Sequence, residues 1–219
     1  MKVLSFVLIL IFCSSTSGVV INCKFQNTSW QVIGSVYSCE AQSLSEISVR
    51  NVTNITGTHQ SGMIDADVEV FEINIRNDLT FVPHGVEQFF PNLIGLQIGY
   101  SQIRELIGDE LKNYPNLEFF SVHMSPLERI SGDLFQFNPL MRLLWFQSNR
   151  IQHVGEQLFE PLNVSRLERV NFFNNVCTDK DAIGYSEIVQ LIKDMKTQCN
   201  NKFYSHSANE NILKTNFMR

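Results

Sequence analysis

The chain has 219 residues, 44% of them hydrophobic and 18% charged, with 17 basic and 22 acidic side chains and a formal net charge of −5. That balance belongs to a globular protein long enough for one domain with a real core. No Lys/Arg cluster stands out, which argues against nucleic acid or an anionic membrane as the main partner.

The first segment reads as an export signal covering residues 1–18. Lys2 supplies a positive charge, Val3 to Cys13 is an almost unbroken apolar run, and Ser14-Ser15-Thr16-Ser17-Gly18 offers small residues for cleavage. An apolar run of about eleven residues is short of the roughly 20 that cross a bilayer, which disfavours a membrane anchor. Cleavage after Ser17 or Gly18 removes Lys2, so 16 basic residues then face 22 acidic ones and the charge becomes −6. It also removes Cys13 and leaves Cys23, Cys39, Cys177 and Cys199, an even set with a close pair near each end. In an oxidising compartment such a set implies disulfides, and three pairings are formally open. Asn27, Asn51, Asn54 and Asn163 each head an N-x-S/T sequon, so N-glycosylation of a secreted, extracellular product is expected.

Downstream the chain repeats. Pro91, Pro115 and Pro139 stand 24 residues apart, each opening a segment of the form L-x-x-L-x-L-x-x-N-x-L-x-x-L. The first runs Leu93, Leu96, Ile98, Ser101, Ile103, Leu106; the second Leu117, Phe120, Val122, Ser125, Leu127, Ile130; the third Met141, Leu144, Phe146, Asn149, Ile151, Val154. A fourth begins Leu167, Val170, Phe172, Asn175 and runs into Cys177. Upstream, Val70-Ile73-Ile75 and Leu44-Ile47-Val49 read as degenerate openings. The second core position then falls at 47, 73, 96, 120, 144 and 170, which predicts six strands. Within L-x-L the side chains alternate, the leucines pointing into a core and their neighbours outward. Asn149 and Asn175 place amides where buried turn backbone needs partners; Ser101 and Ser125 do this only in part, which predicts looser turns there. Phe135, Phe159 and Leu111 fill the opposite side.

These motifs resemble the extracellular leucine-rich-repeat (LRR) family over roughly residues 23 to 199, and the general look is similar to small secreted insect members. The resemblance implies an α/β solenoid: a horseshoe with a parallel sheet of about six strands on its concave face, and cysteine-bearing caps at both ends. The domains are then an N-terminal cap at 19–43, repeats at 44–176, a C-terminal cap at 177–199 and a polar, disordered tail at 200–219. Local pairing, Cys23–Cys39 and Cys177–Cys199, fits that arrangement. Ile188, Leu191, Ile192 and Met195 fall at helical spacing, as a helix lying across the last coil would require.

Catalytic signatures are missing. The histidines at 59, 84, 123, 153 and 206 form no H-E-x-x-H, and there is no C-x-x-C, P-loop, G-x-S-x-G or G-x-G-x-x-G. Asp109 and Glu110 fall in a turn where solvated charge is the ordinary expectation. The reading is a binding protein, not an enzyme, with no cofactor and no metal. Its concave face carries Phe119, Leu143, Trp145 and Phe173 together, with Tyr100, His123 and Met124 beside them, as interface hot spots do. Gly95 and Gly99 predict a shallow notch next to that patch, while Glu72, Arg50, Arg76 and the Asn51 sequon mark a polar half. The implied partner is an extracellular protein or glycan, in innate immunity or extracellular signalling. The alternatives are a self-associating matrix component and a secreted enzyme inhibitor.

Overall fold

A computed structural model describes residues 18–30, 32–45, 48–75 and 78–199. The export signal up to residue 17, Glu46, Ile47, Arg76 and the tail from residue 200 lie outside the described residues. Two long strands, β1 (Val19–Trp30) and β2 (Gly34–Leu44), form an antiparallel hairpin, and β3 (Val52–Thr56) pairs in parallel with β1. The coils then contribute β4 (Val70–Ile73), β5 (Gly95–Gly99), β6 (Glu105–Leu106), β7 (Phe119–His123), β8 (Arg129–Ile130), β9 (Leu143–Trp145), β10 (His153–Val154) and β11 (Arg169–Asn171). β12 (Asp181–Ile183) and helix α1 (Tyr185–Gln198) close the far end. The large sheet runs β12-β11-β9-β7-β5-β4-β2-β1-β3, and β10-β8-β6 make a small second sheet. Among the described residues the result is a parallel β-solenoid of about four turns with a single α-helix. It is mostly β, so the α/β expectation does not hold at that level: between their strands the coils use short turns and 3-10 segments instead of helices.

Each coil is built on the expected alternation. Leu96, Phe120, Leu144 and Val170 lie side by side and are fully buried, as are Ile98, Val122, Phe146 and Phe172. Upstream, the expected register is wrong by two residues. Phe71, not Ile73, pairs with Leu96, so the opening triplet is Val68-Phe71-Ile73, all three fully buried. Next along the sheet comes Cys39, paired with Phe71, and the triplet there is Val36-Cys39-Ala41 in β2. The place in the sheet expected for a strand at 44–49, whose Glu46 and Ile47 lie outside the described residues, is taken by the hairpin. The six mutually parallel strands among those described are β2, β4, β5, β7, β9 and β11.

Buried polar groups are satisfied along a ladder. Asn149 Nδ2 donates to the carbonyls of Val122 (2.7 Å) and Phe146 (2.9 Å), and its Oδ1 accepts from Ser125 N–H (3.0 Å). Asn175 repeats this with Phe146 O, Phe172 O and Ile151 N–H. The serine turns are not looser. Ser101 N–H donates to Ser125 Oγ at 3.0 Å, the two hydroxyls lie 2.9 Å apart, and Tyr100 and Met124 take the same left-handed φ (55° and 50°) as Ser148 and Asn174 (56° and 57°). Phe135, Phe159 and Leu111 pack in the core as expected.

Of the two acids in that turn Asp109 is exposed as expected, but Glu110 is not. Its carboxylate is 2% exposed, accepting from Arg50 Nη1 at 2.8 Å and from Val82 N–H at 3.2 Å, with His84 at 3.9 Å. Arg50, expected on the binding face, thus serves elsewhere as the part-exposed counter-ion of a buried carboxylate. Asn51, expected at the edge of that face, bridges instead to His84. Asn27, Asn51, Asn54 and Asn163 are all exposed.

Disulfides join Cys23 to Cys39 (Cα–Cα 5.3 Å) and Cys177 to Cys199 (5.0 Å), one at each end of the stack. α1 presses Ile188, Leu191 and Met195 into the core, and Cys199 O accepts from Val154 N–H at 3.2 Å. Leu144→Ala should cost ~2–5 kcal/mol in denaturant melts, as other fully buried large-to-small changes do. Asn149→Ala removes the acceptor of the Ser125 N–H and a donor to the Val122 and Phe146 carbonyls, and should cost at least about 2 kcal/mol. A near-neutral Asn149→Ala would show that the ladder does not hold the coils together.

Candidate functional site

The face of the large sheet turned away from the core carries rungs of side chains set by strand register. One rung reads Ser38, Val70, Gly95, Phe119, Leu143, Arg169; the next reads Glu40, Glu72, Gln97, Ser121, Trp145, Asn171. The two-residue correction matters here, because it sets Glu72 between Glu40 and Gln97 rather than beside Gly95.

This face is partly roofed. In β1 the alternation of buried Val19, Ile21, Cys23 and Phe25 ends at Phe25; beyond it β1 leaves the core, while Val36 and Tyr37 opposite it in β2 stay buried, and the tip of the hairpin runs over the sheet. The Trp30 ring packs on Phe119 with centroids 4.7 Å apart, and Trp30 Nε1 donates to Thr28 Oγ1 at 3.1 Å. At the hairpin tip Val32 O accepts from Arg142 Nη2 at 3.1 Å. Arg142 is fixed and kept charged by Glu118 (2.8 Å) and Glu168, which flank it along the sheet edge. The tip is therefore clamped across strands that lie far from it in sequence.

Between roof and sheet lies a cavity of about 500 Å³, lined by Thr28, Ser29, Trp30 and Ile33 above and by Glu72, Gln97, Phe119, Leu143, Trp145 and Arg169 below. That size is ordinary for a ligand site. At one end the Arg169 guanidinium lies 4.4 Å from the Trp145 ring centroid and is held in place by both carboxylate oxygens of Asp181. At the other end Glu72 is only 7% exposed. Its Oε2 accepts from Asn74 Nδ2 at 3.1 Å, and Asn74 Oδ1 accepts from Gln97 Nε2 at 2.9 Å; Oε1 has no hydrogen-bond partner. Burial, reinforced by the neighbouring Glu40 carboxylate, raises the Glu72 pKa from 4.5 to about 7 against the opposing influence of the Ser38 and Asn74 side chains.

The sequence-derived site residues divide into two places. Phe119, Leu143 and Trp145 line the cavity, but Phe119 and Leu143 are 1% and 4% exposed, so they are not an open patch. Tyr100 and Met124, both exposed, line a separate polar groove with Arg104, Arg150 and Asn174 where the strands end. His123 is half-buried beside them, edge-on to Tyr100, with Nδ1 3.1 Å from Ser121 Oγ; burial lowers its pKa. Phe173 is 53% exposed and lines neither. The expected notch is filled: a Cβ on Gly95 would meet Val70 at 2.8 Å, and one on Gly99 would meet His123 at 2.6 Å. Sequence reasoning missed Trp30, Ile33 and the role of Glu72. The one available signal was the loss of alternating apolar residues after Phe25.

Among the described residues no helix is long and apolar enough to cross a membrane, and no group of three or more His, Cys, Asp or Glu could hold a metal ion. The two disulfides point to an oxidising compartment. Fold and site together define a disulfide-capped parallel β-solenoid with a roofed cavity on its open sheet face. No family model matches the sequence, and no curated protein matches it.

Because burial favours its acid form, Glu72 in the fold still holds a proton that the unfolded chain has released once pH passes 4.5. The folded protein therefore loses stability as pH rises from 4.5 to about 7, and the loss is level above that. A shift of this size is on the order of 3 kcal/mol. Glu72→Gln should thus gain about 2–3 kcal/mol on the parent at pH 8, and little at pH 4, in paired denaturant melts. An advantage that did not change with pH would mean that Glu72 carries no such burial cost.

Proposed function

We propose that the chain is a secreted binding protein of the leucine-rich-repeat type, which recognises an extracellular protein or glycan through a group held in the cavity beneath the hairpin. The role is recognition rather than catalysis. The repeat type is supported by the 24-residue period, the Asn/Ser ladder and the disulfide at each end. Secretion is supported by the leader-like start, the sequons and the paired cysteines.

The observation that carries the binding role is the cavity itself. Trp30, Phe119, Leu143 and Trp145 wall it, and Thr28, Ser29, Gln97 and Glu72 supply a few polar groups that could orient an occupant. The roof changes the kind of recognition: a broad, flat docking face would need Phe119 and Leu143 open to solvent. The space suits a side chain, a sugar unit or a small molecule inserted between hairpin and sheet.

The test is to present the secreted chain to arrays of glycans and extracellular proteins and to compare variants on whatever binds. Trp145→Ala, shown by its melt to be folded, should weaken binding by ~2 kcal/mol or more, about thirtyfold. If Tyr100→Ala weakens the complex while Trp145→Ala leaves it unchanged, the groove at the strand ends is the site and the cavity is not.

A further inference from the structure

The two ends of the cavity differ in what they lack. Arg169 is supplied with a carboxylate by Asp181 and a ring by Trp145, so the cationic end is complete. The acidic end is not. Glu72 is more than nine-tenths buried, and one of its carboxylate oxygens has no hydrogen-bond partner. A buried carboxylate oxygen without a donor costs free energy that the fold has no evident reason to bear.

The groups facing Glu72 make the missing partner specific. From β2 come Ser38 and the carboxylate of Glu40; from its own strand, Asn74; from β5, Gln97, whose amide is engaged with Asn74. Glu40 takes a hydrogen bond from Gln26 Nε2 at 3.0 Å, and the nearest ammonium, Lys24, is exposed and 4.0 Å from Glu40. The roof lining adds Thr28, Ser29, Trp30 and Ile33, none of them charged. Two carboxylates thus stand on one rung with one exposed ammonium 4.0 Å from the outer of them, in a cavity whose walls include Trp30 and Phe119. Aromatic faces attract cations, and Trp145 already holds one. A divalent metal would need about six oxygen ligands, which these walls do not provide.

We propose that the cavity binds an organic cation with N–H donors, a primary ammonium or a guanidinium on an apolar body, which donates to the free oxygen of Glu72 and packs its body against Trp30 and Phe119. This rests on the cavity being the recognition site and names the chemistry of what enters it. The donor requirement separates such a ligand from a quaternary ammonium, which has the charge but no N–H. Binding needs the ionised carboxylate, so below about pH 7 a proton must leave Glu72 before the cation can pair with it.

The probe is 2-phenylethylamine, with 2-phenylethanol as its neutral counterpart and the trimethylammonium analogue as the cation without donors. Binding is read by the fluorescence of Trp30 and Trp145, the chain's 2 tryptophans. At pH 8 the amine should bind at least about tenfold more tightly than the alcohol or the trimethyl analogue, a gap of roughly one hydrogen-bonded charge pair. That preference should shrink about tenfold per pH unit below pH 7. Glu72→Gln should bring amine and alcohol to the same affinity and remove the pH dependence. Equal affinities for amine and alcohol in the parent chain, or a preference for the amine that ignores pH between 5 and 8, would overturn the proposal, and neither measurement depends on the variant folding. If the amine shows no preference while Trp145→Ala still weakens a macromolecular partner, the cation chemistry falls and the binding role stands. If Trp145→Ala has no effect on that partner either, both fall.

Discussion

No coil of this protein can bury its own apolar stripe, and everything else in the structure depends on that. Leu96, Phe120, Leu144 and Val170 are each fully buried only because a neighbour lies alongside. Stacking also brings backbone amides and carbonyls into the interior, where unpaired groups are costly. The run from Ser101 through Ser125 and Asn149 to Asn175 answers that cost, passing hydrogen bonds from one coil to the next at the same point of the turn. Apolar contact and polar ladder impose the same spacing, so the register of the open face is set by the core.

A stack must end, and the two ends are closed differently. At the far end an antiparallel strand and a helix tied by Cys177–Cys199 cover the last coil. At the near end a hairpin takes a strand position itself, with Cys39 where a leucine would stand. Its disulfide partner Cys23 lies on the other strand of the hairpin, so the bond fixes the base from which the tip extends. The hairpin then does a second thing that closing a stack does not require. It runs on past Phe25 and is clamped by Arg142 and Trp30 over the middle of the sheet. Roof and floor come from parts of the chain about 110 residues apart, and the cavity exists only where they meet.

The same closure makes Glu72 unusual. On an open sheet its carboxylate would be solvated; under the roof, beside Glu40, it is driven toward the acid form. Folds accept such a cost at places that do something other than hold the fold together.

Much of this was legible in the amino-acid order, and the limit has a physical cause. The recurrence of prolines and leucines determined the coils from Leu93 onward, their buried and outward faces and the Asn ladder, because those features arise from contacts repeated at a fixed local period; the terminal helix was legible from its own apolar spacing, and the cysteine pairing only through the family resemblance. Where the period broke, the reading failed. The opening Val68-Phe71-Ile73 lies two residues before the one the pattern predicts, and Val36-Cys39-Ala41 carries no visible repeat signal, since the 32-residue spacing from Cys39 to Phe71 departs from the period of the coils. Tertiary structure alone decided that the patch of Phe119 and Leu143 is covered, that Arg50 serves Glu110, and that Glu72 faces a cavity. Each depends on which distant segments meet, and a one-dimensional period carries information only about neighbours in the stack, not about a hairpin folded back across it.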